Sequence, residues 1–146
     1  MANILVSACL IGCDCSYRGD SNYREAVTAL TAKHTLIPVC PEQLGGLPTP
    51  RVPAEVQPGD GSVLNKEGRD VSDFYRRGAE AALQIAKTAG ADTALLKARS
   101  PSCGHGIIYD GSFGGTFRPG SGVTAALLDR NNIHVFTEET MEDLLK

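Results

Sequence analysis

Short apolar runs alternate along the chain with longer stretches in which apolar residues recur every three or four positions. Short runs of this kind are typical of buried strands, whereas the longer spacing is typical of helices that bury one face. The runs predict strands at 3–8, 35–40, 93–98 and 133–136. The helical spacing predicts helices at 22–33, 72–90, 121–131 and 137–146. Because strands that alternate with helices indicate crossover units, we predict an α/β fold with a mostly parallel sheet.

Cap signals mark the ends of two predicted helices. Asn22, followed three residues later by Glu25, forms a capping-box arrangement at the start of the first helix. Ser72 is predicted to cap the helix at 72–90, and Gly90 is predicted to end it. The predicted buried face of this helix carries Phe74, Gly78, Ala82, Ile85 and Ala89.

Two segments between these elements carry turn signals. Residues 41–61 are rich in proline and glycine, so we expect no long regular element there. The segment 62–72 predicts a small hairpin that turns at Glu67 and Gly68. The chain of 146 residues has the length of one domain, and we expect 1–146 to form it.

Charge and hydropathy narrow the classes of partner. The net charge of −3 gives no basic surface for duplex nucleic acid. No apolar run approaches the roughly 20 residues of a membrane span, so we expect no membrane partner. The first residues have neither the basic lead-in nor the cleavage-type ending of a signal peptide, which favours a cytoplasmic location. Five cysteines, an odd number in a reducing compartment, argue against a disulfide framework.

Three of the cysteines follow three different predicted strands. Cys9 comes just after the first strand, Cys40 ends the second, and Cys103 comes a few residues after the third. Each lies in or beside a loop rich in glycine or proline. The carboxyl ends of parallel strands meet at one edge of a sheet, where open α/β sheets bind ligands. We therefore expect these thiols at one site, with Cys13 and Cys15 further along the first loop.

Several kinds of chemistry fit this cysteine pattern. Each cysteine could be a small buried apolar side chain. Zinc is possible, although its usual Cys-x2-Cys pair is absent. The local spacing of Cys9, Cys13 and Cys15 is one residue short of the Cys-x3-Cys-x2-Cys of radical iron–sulfur enzymes. Three thiolates from three loops would suit a [4Fe–4S] cluster in which one iron has no protein thiolate.

Several longer motifs resemble the bacterial thiouracil desulfurase family, in the same order and through nearly the whole chain. They are "ILVSACLIG", "IPVCPEQLGGLPTPR", "LKARSPSCGHG", "YDGSFGGTF" and "PGSGVTAALL". The resemblance implies a Rossmann-like α/β domain that carries a [4Fe–4S] cluster on Cys9, Cys40 and Cys103, with the fourth iron open to sulfur. One departure is the Ser-Tyr-Arg-Gly at 16–19, where the family often has Arg-Tyr-Asp-Gly.

Polar residues beside these cysteines are candidates for further roles. Glu42 could activate water or move a proton, although a loop carboxylate can equally bond a turn. Ser100 is a catalytic candidate, and Ser102 and His105 are candidates for binding substrate; such serines often bond only the turn backbone. His34 and His134 flank strands and are interpreted as structural. Arg51 is either a substrate-binding or a structural cation, and the sequence does not decide between the two. The helix start at 120–124 could face an anion, but it lacks a full phosphate-loop motif.

Together with the resemblance, these residues predict non-redox, hydrolytic removal of sulfur from thiouracil, which yields uracil and hydrogen sulfide. The expected cofactor is a [4Fe–4S] cluster with three cysteine ligands and one open iron, and the expected partner is a small thiolated pyrimidine. One alternative is a binding module stabilised by zinc or a cluster, without catalysis. Another is a thiol-redox protein that uses Cys13 and Cys15. The sequence leaves the choice between 2-thio and 4-thio substrates open.

Overall fold

A computed structural model describes residues 2–145 of the chain. The strands are β1 (Asn3–Ser7), β2 (Thr35–Val39), β3 (Ala54–Val56), β4 (Val63–Asn65), β5 (Thr93–Leu96), β6 (Ile107–Tyr109), β7 (Phe117–Pro119) and β8 (His134–Thr137). The α-helices are α1 (Glu25–Thr28), α2 (Pro41–Leu44), α3 (Ser72–Ala89) and α4 (Val123–Arg130). Short 3-10 helices span Ala8–Ile11, Ala29–Ala32 and Met141–Leu145.

A parallel sheet with the strand order β2-β1-β5-β8 forms the centre of the fold. The chain runs from β1 outward to β2 and later returns on the other side of β1 to form β5. In a sheet of this kind, a crevice opens where the winding direction reverses, beyond the carboxyl ends of the strands. The four predicted strands and the Rossmann-like α/β class are therefore confirmed, and the switch point lies between β1 and β5.

The sheet buries side chains on both faces. On one face, Leu5 and Leu96 pack with the small residues Ala82 and Ala86 of α3 and with Leu128 of α4. The neighbouring positions point the opposite way because strand side chains alternate between faces. On that second face the packed residues are Ile4, Val6, Leu95, Val27, Leu30 and Met141. Burial on two faces explains why the central strands β1 and β5 read as continuous apolar runs rather than as alternating ones.

Two hairpins lie beyond the main sheet. β3 pairs with β4, and β6 pairs with β7, each in antiparallel fashion. A smaller apolar cluster joins them to α3 and contains Ala54, Val56, Val63, Val71, Tyr75 and Ile108. The β6–β7 hairpin was not predicted from the sequence. Among residues 2–145, no helix is both long and apolar enough to cross a membrane.

The predicted helix at 22–33 forms only in part, and not as one continuous α-helix. Only α1 and the 3-10 helix after it form there, and the α1 N-cap is Arg24, without a side-chain cap. The amide of Asn22 donates to the carbonyl of Cys9, and the amide of Arg24 donates to that of Leu10. These bonds hold the start of the segment extended along the first loop, so Asn22 cannot cap a helix.

Other element ends also differ from the predictions. The hydroxyl of Ser72 accepts the amide of Val63 instead of capping α3, whose N-cap is Val71. The predicted turn at Glu67 and Gly68 forms. However, β4 pairs with β3, and the residues after the turn make only an isolated bridge to β4, between Asp70 and Leu64. The terminal helix is shorter than predicted, a 3-10 segment at Met141–Leu145. Gly90 ends α3 in a left-handed conformation, as predicted.

Two glycines allow α2 to lie directly on the backbone of α3. A Cβ atom on Gly78 would lie 1.9 Å from the carbonyl oxygen of Pro41, and one on Gly45 would lie 1.9 Å from that of Phe74. Real side chains do not approach a backbone oxygen so closely, so only glycine fits at both positions. The contact fixes α2 and, with it, Cys40 at its N-terminus and Glu42 in its first turn.

Replacing Gly78 with alanine tests this contact, because helix propensity and the backbone contact predict opposite signs for the change in the free energy of unfolding. Helix propensity alone would make Gly78→Ala stabilising by about 1 kcal/mol. We expect the variant instead to lose roughly 2 kcal/mol or more, because the new methyl group overlaps the backbone of Pro41. The free energy of unfolding from chemical denaturation checks this prediction. An unchanged or raised stability would show that α2 can move away from α3 without cost.

Candidate functional site

A cavity of about 420 Å³ opens at the carboxyl edge of the parallel sheet. Its walls come from the segments that follow β1, β2 and β5, from the loop before β3, and from the β6–β7 hairpin. This is the switch point at which open α/β folds bind ligands. The polar and aromatic residues that line it include Cys9, Cys15, Tyr17, Cys40, Glu42, Arg51, Glu55, Tyr75, Lys97, Ser100, Cys103, Tyr109 and Phe113.

The structure brings the three predicted cysteines to this one cavity. Cys9 follows β1, Cys40 follows β2, and Cys103 lies in the loop after β5. A fourth thiol, that of Cys15, lines the same cavity and is buried, whereas Cys13 is exposed and does not line it. The first loop therefore contributes two thiols to the site rather than one.

Cys15 accepts the thiol of Cys40 at its backbone carbonyl, over a distance of 3.7 Å. Its hydrogen bonds lower the pKa of both Cys9 and Cys40 to about 7. The pKa of Cys15 itself is raised, first by its bond to Cys40 and then by its bond to Cys9. Cys15 therefore keeps its proton, whereas the pKa of Cys9 and that of Cys40 are lowered toward neutral pH. Thiolates, not thiols, are the form of cysteine that binds metal.

Cys103 is the most deeply placed of the four thiols. Burial raises its pKa to about 12, although a hydrogen bond with Ser7 opposes the rise. The loop that carries it is ordered by Ser100, whose hydroxyl oxygen accepts the amides of Ser102 and Cys103 at 3.1 and 3.0 Å. Because metal coordination removes the thiol proton, this cysteine would ionise on binding rather than before it.

Glu42 lies in a buried network beside the cysteines. Its Oε2 accepts hydrogen bonds from Arg51 Nε at 3.1 Å and from the Tyr75 hydroxyl at 2.9 Å. Both of these side-chain bonds use the same carboxylate oxygen. The side chains of Arg51 and Glu42 are only 5% and 13% exposed. Arg51 Nη2 also donates to the carbonyl of Cys15 at 3.0 Å. The guanidinium of Arg51 thus joins the loop that carries Cys15 to Glu42, the candidate proton carrier.

The charges in this network shift the pKa of two neighbours. Burial lowers the pKa of Arg51, but the carboxylate of Glu42 outweighs it and the net shift is upward. Burial, reinforced by the charge of Glu42, raises the pKa of Tyr75. Arg51 therefore stays cationic and Tyr75 stays a protonated donor, so both hold one oxygen of the carboxylate in place.

Lys97 places a second cation at the cavity. Its Nζ lies 3.1 Å from Oε2 of Glu138, whose side chain is 4% exposed. Its backbone amide donates to Ser7 Oγ at 2.9 Å, which joins the ends of β5 and β1 at the switch point. The pairing with Glu138 neutralises this ammonium, so it does not add an unbalanced charge to the site.

Two predicted substrate-binding residues do not reach the cavity. Ser102 is fully buried, and its hydroxyl pairs with that of Thr124 in α4 at 2.8 Å. His105 is partly exposed and lies 3.8 Å from Asp129. Neither is among the residues that line the cavity. Their assignment as substrate ligands stays a prediction without geometric support.

The backbone amides at the start of α4 bind the cysteine loop instead of facing an anion. Those of Gly122, Val123 and Thr124 donate to the carbonyls of Gly104, Pro101 and Ser102 respectively. The helix start therefore fixes the segment that carries Cys103. His34 has a structural contact, because its Nδ1 accepts the amide of Ala2 at 3.1 Å.

Fold and site together define a Rossmann-like α/β protein with a cysteine-lined cavity at its switch point. The chain belongs to the 2-thiouracil desulfurase family, whose sequence profile matches residues 4–140. It is 41% identical to the "Uncharacterized protein YbbK" of Bacillus subtilis, over 97% of this chain and 99% of that protein. It also resembles the solved structure of the [4Fe-4S]-dependent thiouracil desulfidase TudS. That match has 44% identity, covers 99% of this chain and 96% of TudS, and has a TM-score of 0.91. The family resemblance is confirmed.

Proposed function

We propose that this protein hydrolyses thiouracil to uracil and hydrogen sulfide, without net oxidation or reduction, and that it does so with a [4Fe–4S] cluster. The observation that carries the proposal is the convergence of four thiols and the Glu42 network on one cavity at the switch point. Family membership supports the reaction, and the likeness to TudS, a [4Fe-4S]-dependent thiouracil desulfidase, supports the cofactor. In the balanced reaction, the oxygen of water replaces the thiocarbonyl sulfur.

The donor set fits an iron–sulfur cluster. Thiolates are the soft ligands that such clusters take, and Cys9 and Cys40 have the pKa needed to supply two of them near pH 7. We assign the third position to Cys103 and keep Cys15 as the competing candidate. No group of three or more His, Cys, Asp or Glu side chains within residues 2–145 is arranged around a single metal ion. A cluster differs from a single ion because each cysteine binds a separate iron of a cube.

When bound, such a cluster supplies a soft Lewis-acidic iron that can hold the departing sulfur. Glu42 then has the position of a proton carrier: Oε2 is occupied by Arg51 and Tyr75, which leaves Oε1 to take a proton from water and return it to a ring nitrogen. Ser100 accepts two amides through its oxygen, so its hydroxyl proton can be donated to a pyrimidine carbonyl. Both Glu42 and Ser100 line the cavity, which supports these two assignments.

The cavity has the size of a small-molecule site. Its volume of about 420 Å³ lies within the range of roughly 300–1,000 Å³ of ligand pockets. Its walls combine charged and polar side chains with aromatic and aliphatic ones, so a small ring can be both enclosed and oriented there. We therefore propose a small thiolated pyrimidine as the substrate.

Sulfide release after anaerobic cluster reconstitution is the decisive test of this function. The protein would be incubated with 2-thiouracil and 4-thiouracil in parallel, with sulfide and uracil quantified. We expect equal amounts of uracil and sulfide and no requirement for an electron donor. Binding of thiouracil without sulfide would favour a non-catalytic module. Activity that depends on Cys13 and on an added reductant would favour a thiol-redox protein.

Removing the Tyr75 hydroxyl should lower turnover more than substrate binding. Tyr75→Phe keeps the buried ring but removes one of two bonds to Glu42 Oε2, so the carboxylate loses part of its fixed orientation. A hydrogen bond to a charged group contributes about 1.5–3 kcal/mol, which sets an expected fall in kcat of roughly tenfold or more. Steady-state kinetics per intact cluster measure it, with the exposed Tyr23→Phe as the matched control. Equal kcat values for both variants would show that Tyr75 has only a packing role.

A further inference from the structure

The tip of the β6–β7 hairpin, residues 110–116, forms part of the cavity wall and has no role in the chemistry described so far. Phe113 and Gly115 of this tip line the cavity, as does Tyr109 at the end of β6. Among residues 2–145, Phe113 is the one phenylalanine that lines the cavity. An aromatic side chain at a cavity that would hold a planar pyrimidine has an obvious physical partner, the face of the ring.

Glu55 of β3 holds this tip through two backbone amides. Its Oε1 accepts the amide of Gly111 at 2.9 Å and the amide of Phe113 at 3.2 Å, and the residue is 9% exposed. Gln57 adds a third contact by donating Nε2 to the carbonyl of Gly111 at 3.2 Å. A buried carboxylate is costly unless hydrogen bonds satisfy it, so Glu55 and the tip stabilise each other.

Bonds within the tip give it a defined shape. Asp110 Oδ1 accepts the amide and hydroxyl of Ser112 at 2.9 and 2.6 Å, and the Thr116 hydroxyl donates to Oδ2. Phe113 has a φ of 59°, in the left-handed region that a phenylalanine adopts only when its surroundings impose it. The hydrogen bond from the backbone amide of Phe113 to Glu55 is one such constraint. The aromatic side chain is therefore presented by a preorganised loop.

We propose that Phe113 is the aromatic wall on which the pyrimidine ring stacks, and that Glu55 is the positioning residue that holds it there. This rests on the proposed function, because the ring is that of the thiolated base. Stacking recognises the π-face of the ring and is indifferent to which ring position carries sulfur. Phe113 therefore selects planar pyrimidines as a class, whereas the polar groups beside the cysteines select the atom that reacts.

Binding and kinetics of cluster-loaded variants test the role of Phe113. With 4-thiouracil as the probe, Phe113→Ala should raise Kd and KM by roughly 5- to 150-fold, the range of base–aromatic stacking, and should change kcat much less. Phe113→Tyr should bind as wild type does, because the aromatic face is kept. Phe117→Ala removes an exposed aromatic from the same hairpin that does not line the cavity, and it should leave Kd unchanged. Phe113→Leu replaces the alanine variant if that one fails to fold.

Variants of Glu55 separate positioning from mere stability. Glu55→Gln keeps an oxygen that accepts both amides and should bind 4-thiouracil as wild type does. Glu55→Ala should raise Kd and also accelerate amide hydrogen exchange at Gly111 and Phe113. Faster exchange with an unchanged Kd would overturn the positioning role of Glu55.

Each remaining outcome decides between the two proposals. A folded, cluster-loaded Phe113→Ala or Phe113→Leu variant that binds 4-thiouracil as tightly as wild type overturns the stacking role of Phe113 and leaves the desulfurase proposal intact. Wild-type binding without sulfide release overturns the desulfurase proposal alone. Absence of any binding by the wild type overturns both.

Discussion

Alanine at Cys9, Cys40 or Cys103 is expected to abolish both the iron–sulfur chromophore and sulfide release. The three residues come from three separate loops at one edge of the sheet, so under the proposed function each loss removes one of the three assigned thiolates. The pKa of Cys9 and that of Cys40 are lowered to about 7, and coordination would draw the proton from Cys103. Iron and sulfide content per chain, the visible spectrum and the rate of sulfide release measure the effect.

Cys13 and Cys15 supply the controls for this experiment. Cys13 is exposed and outside the cavity, so Cys13→Ala should retain a full cluster and normal activity. Cys15→Ala should also retain the cluster, although the pKa of Cys9 and Cys40 should rise in the metal-free protein once its hydrogen bonds are gone. A cluster lost in Cys15→Ala but kept in Cys103→Ala would transfer the third ligand position from Cys103 to Cys15.

The second large effect is expected at Glu42. Glu42→Gln should lower kcat by about 10²–10⁴-fold, the usual cost of losing a general acid–base group, while thiouracil binding changes much less. Glutamine keeps an oxygen that can accept from Arg51 and Tyr75, so the local shape is preserved. The measurement is sulfide release normalised to iron content, together with the Kd for thiouracil. Near-normal turnover per intact cluster would remove Glu42 from the mechanism.

Stability must be measured beside turnover in this variant, because Glu42 also neutralises Arg51. The guanidinium is almost completely buried, and removal of one partner from a buried ion pair typically costs about 3–5 kcal/mol. A second change, Arg51→Met, removes the uncompensated cation. The double variant should recover much of the lost stability without recovering turnover. Recovery of turnover would mean that Glu42 acts only by neutralising its neighbour.

The strands and the three separated cysteines could be predicted because their signals are local or topological. A strand buried on both faces reads as an apolar run, and parallel strands bring their carboxyl ends to one edge whatever the loops do. Cys9, Cys40 and Cys103 needed no more than this to be placed together. The first loop is different: Cys15 reaches the cavity through a loop conformation that has no periodic signal in the sequence.

The network around Glu42 was missed for two physical reasons. Arg51 lies in a proline- and glycine-rich segment, where no period indicates which side chains turn inward. Tyr75 lies on α3, whose predicted buried face was out of phase by one residue at its start: Phe74 was expected inside, but Tyr75 is the one buried at 2% exposure. A buried tyrosine hydroxyl needs an acceptor, and this signal could have linked Tyr75 to Glu42.

The backbone contact between α2 and α3 has a consequence for how mutations in this protein would be interpreted. Gly45 and Gly78 do not line the cavity, yet their contact holds the helix that brings Cys40 and Glu42 to it. A library of single substitutions that is screened only for sulfide release would not distinguish these glycines from the cysteines, because substitution would abolish release at both kinds of position. Measured against folded-protein yield, the two groups would separate: the glycines would fail by abundance, and the cysteines would accumulate as intact, colourless protein.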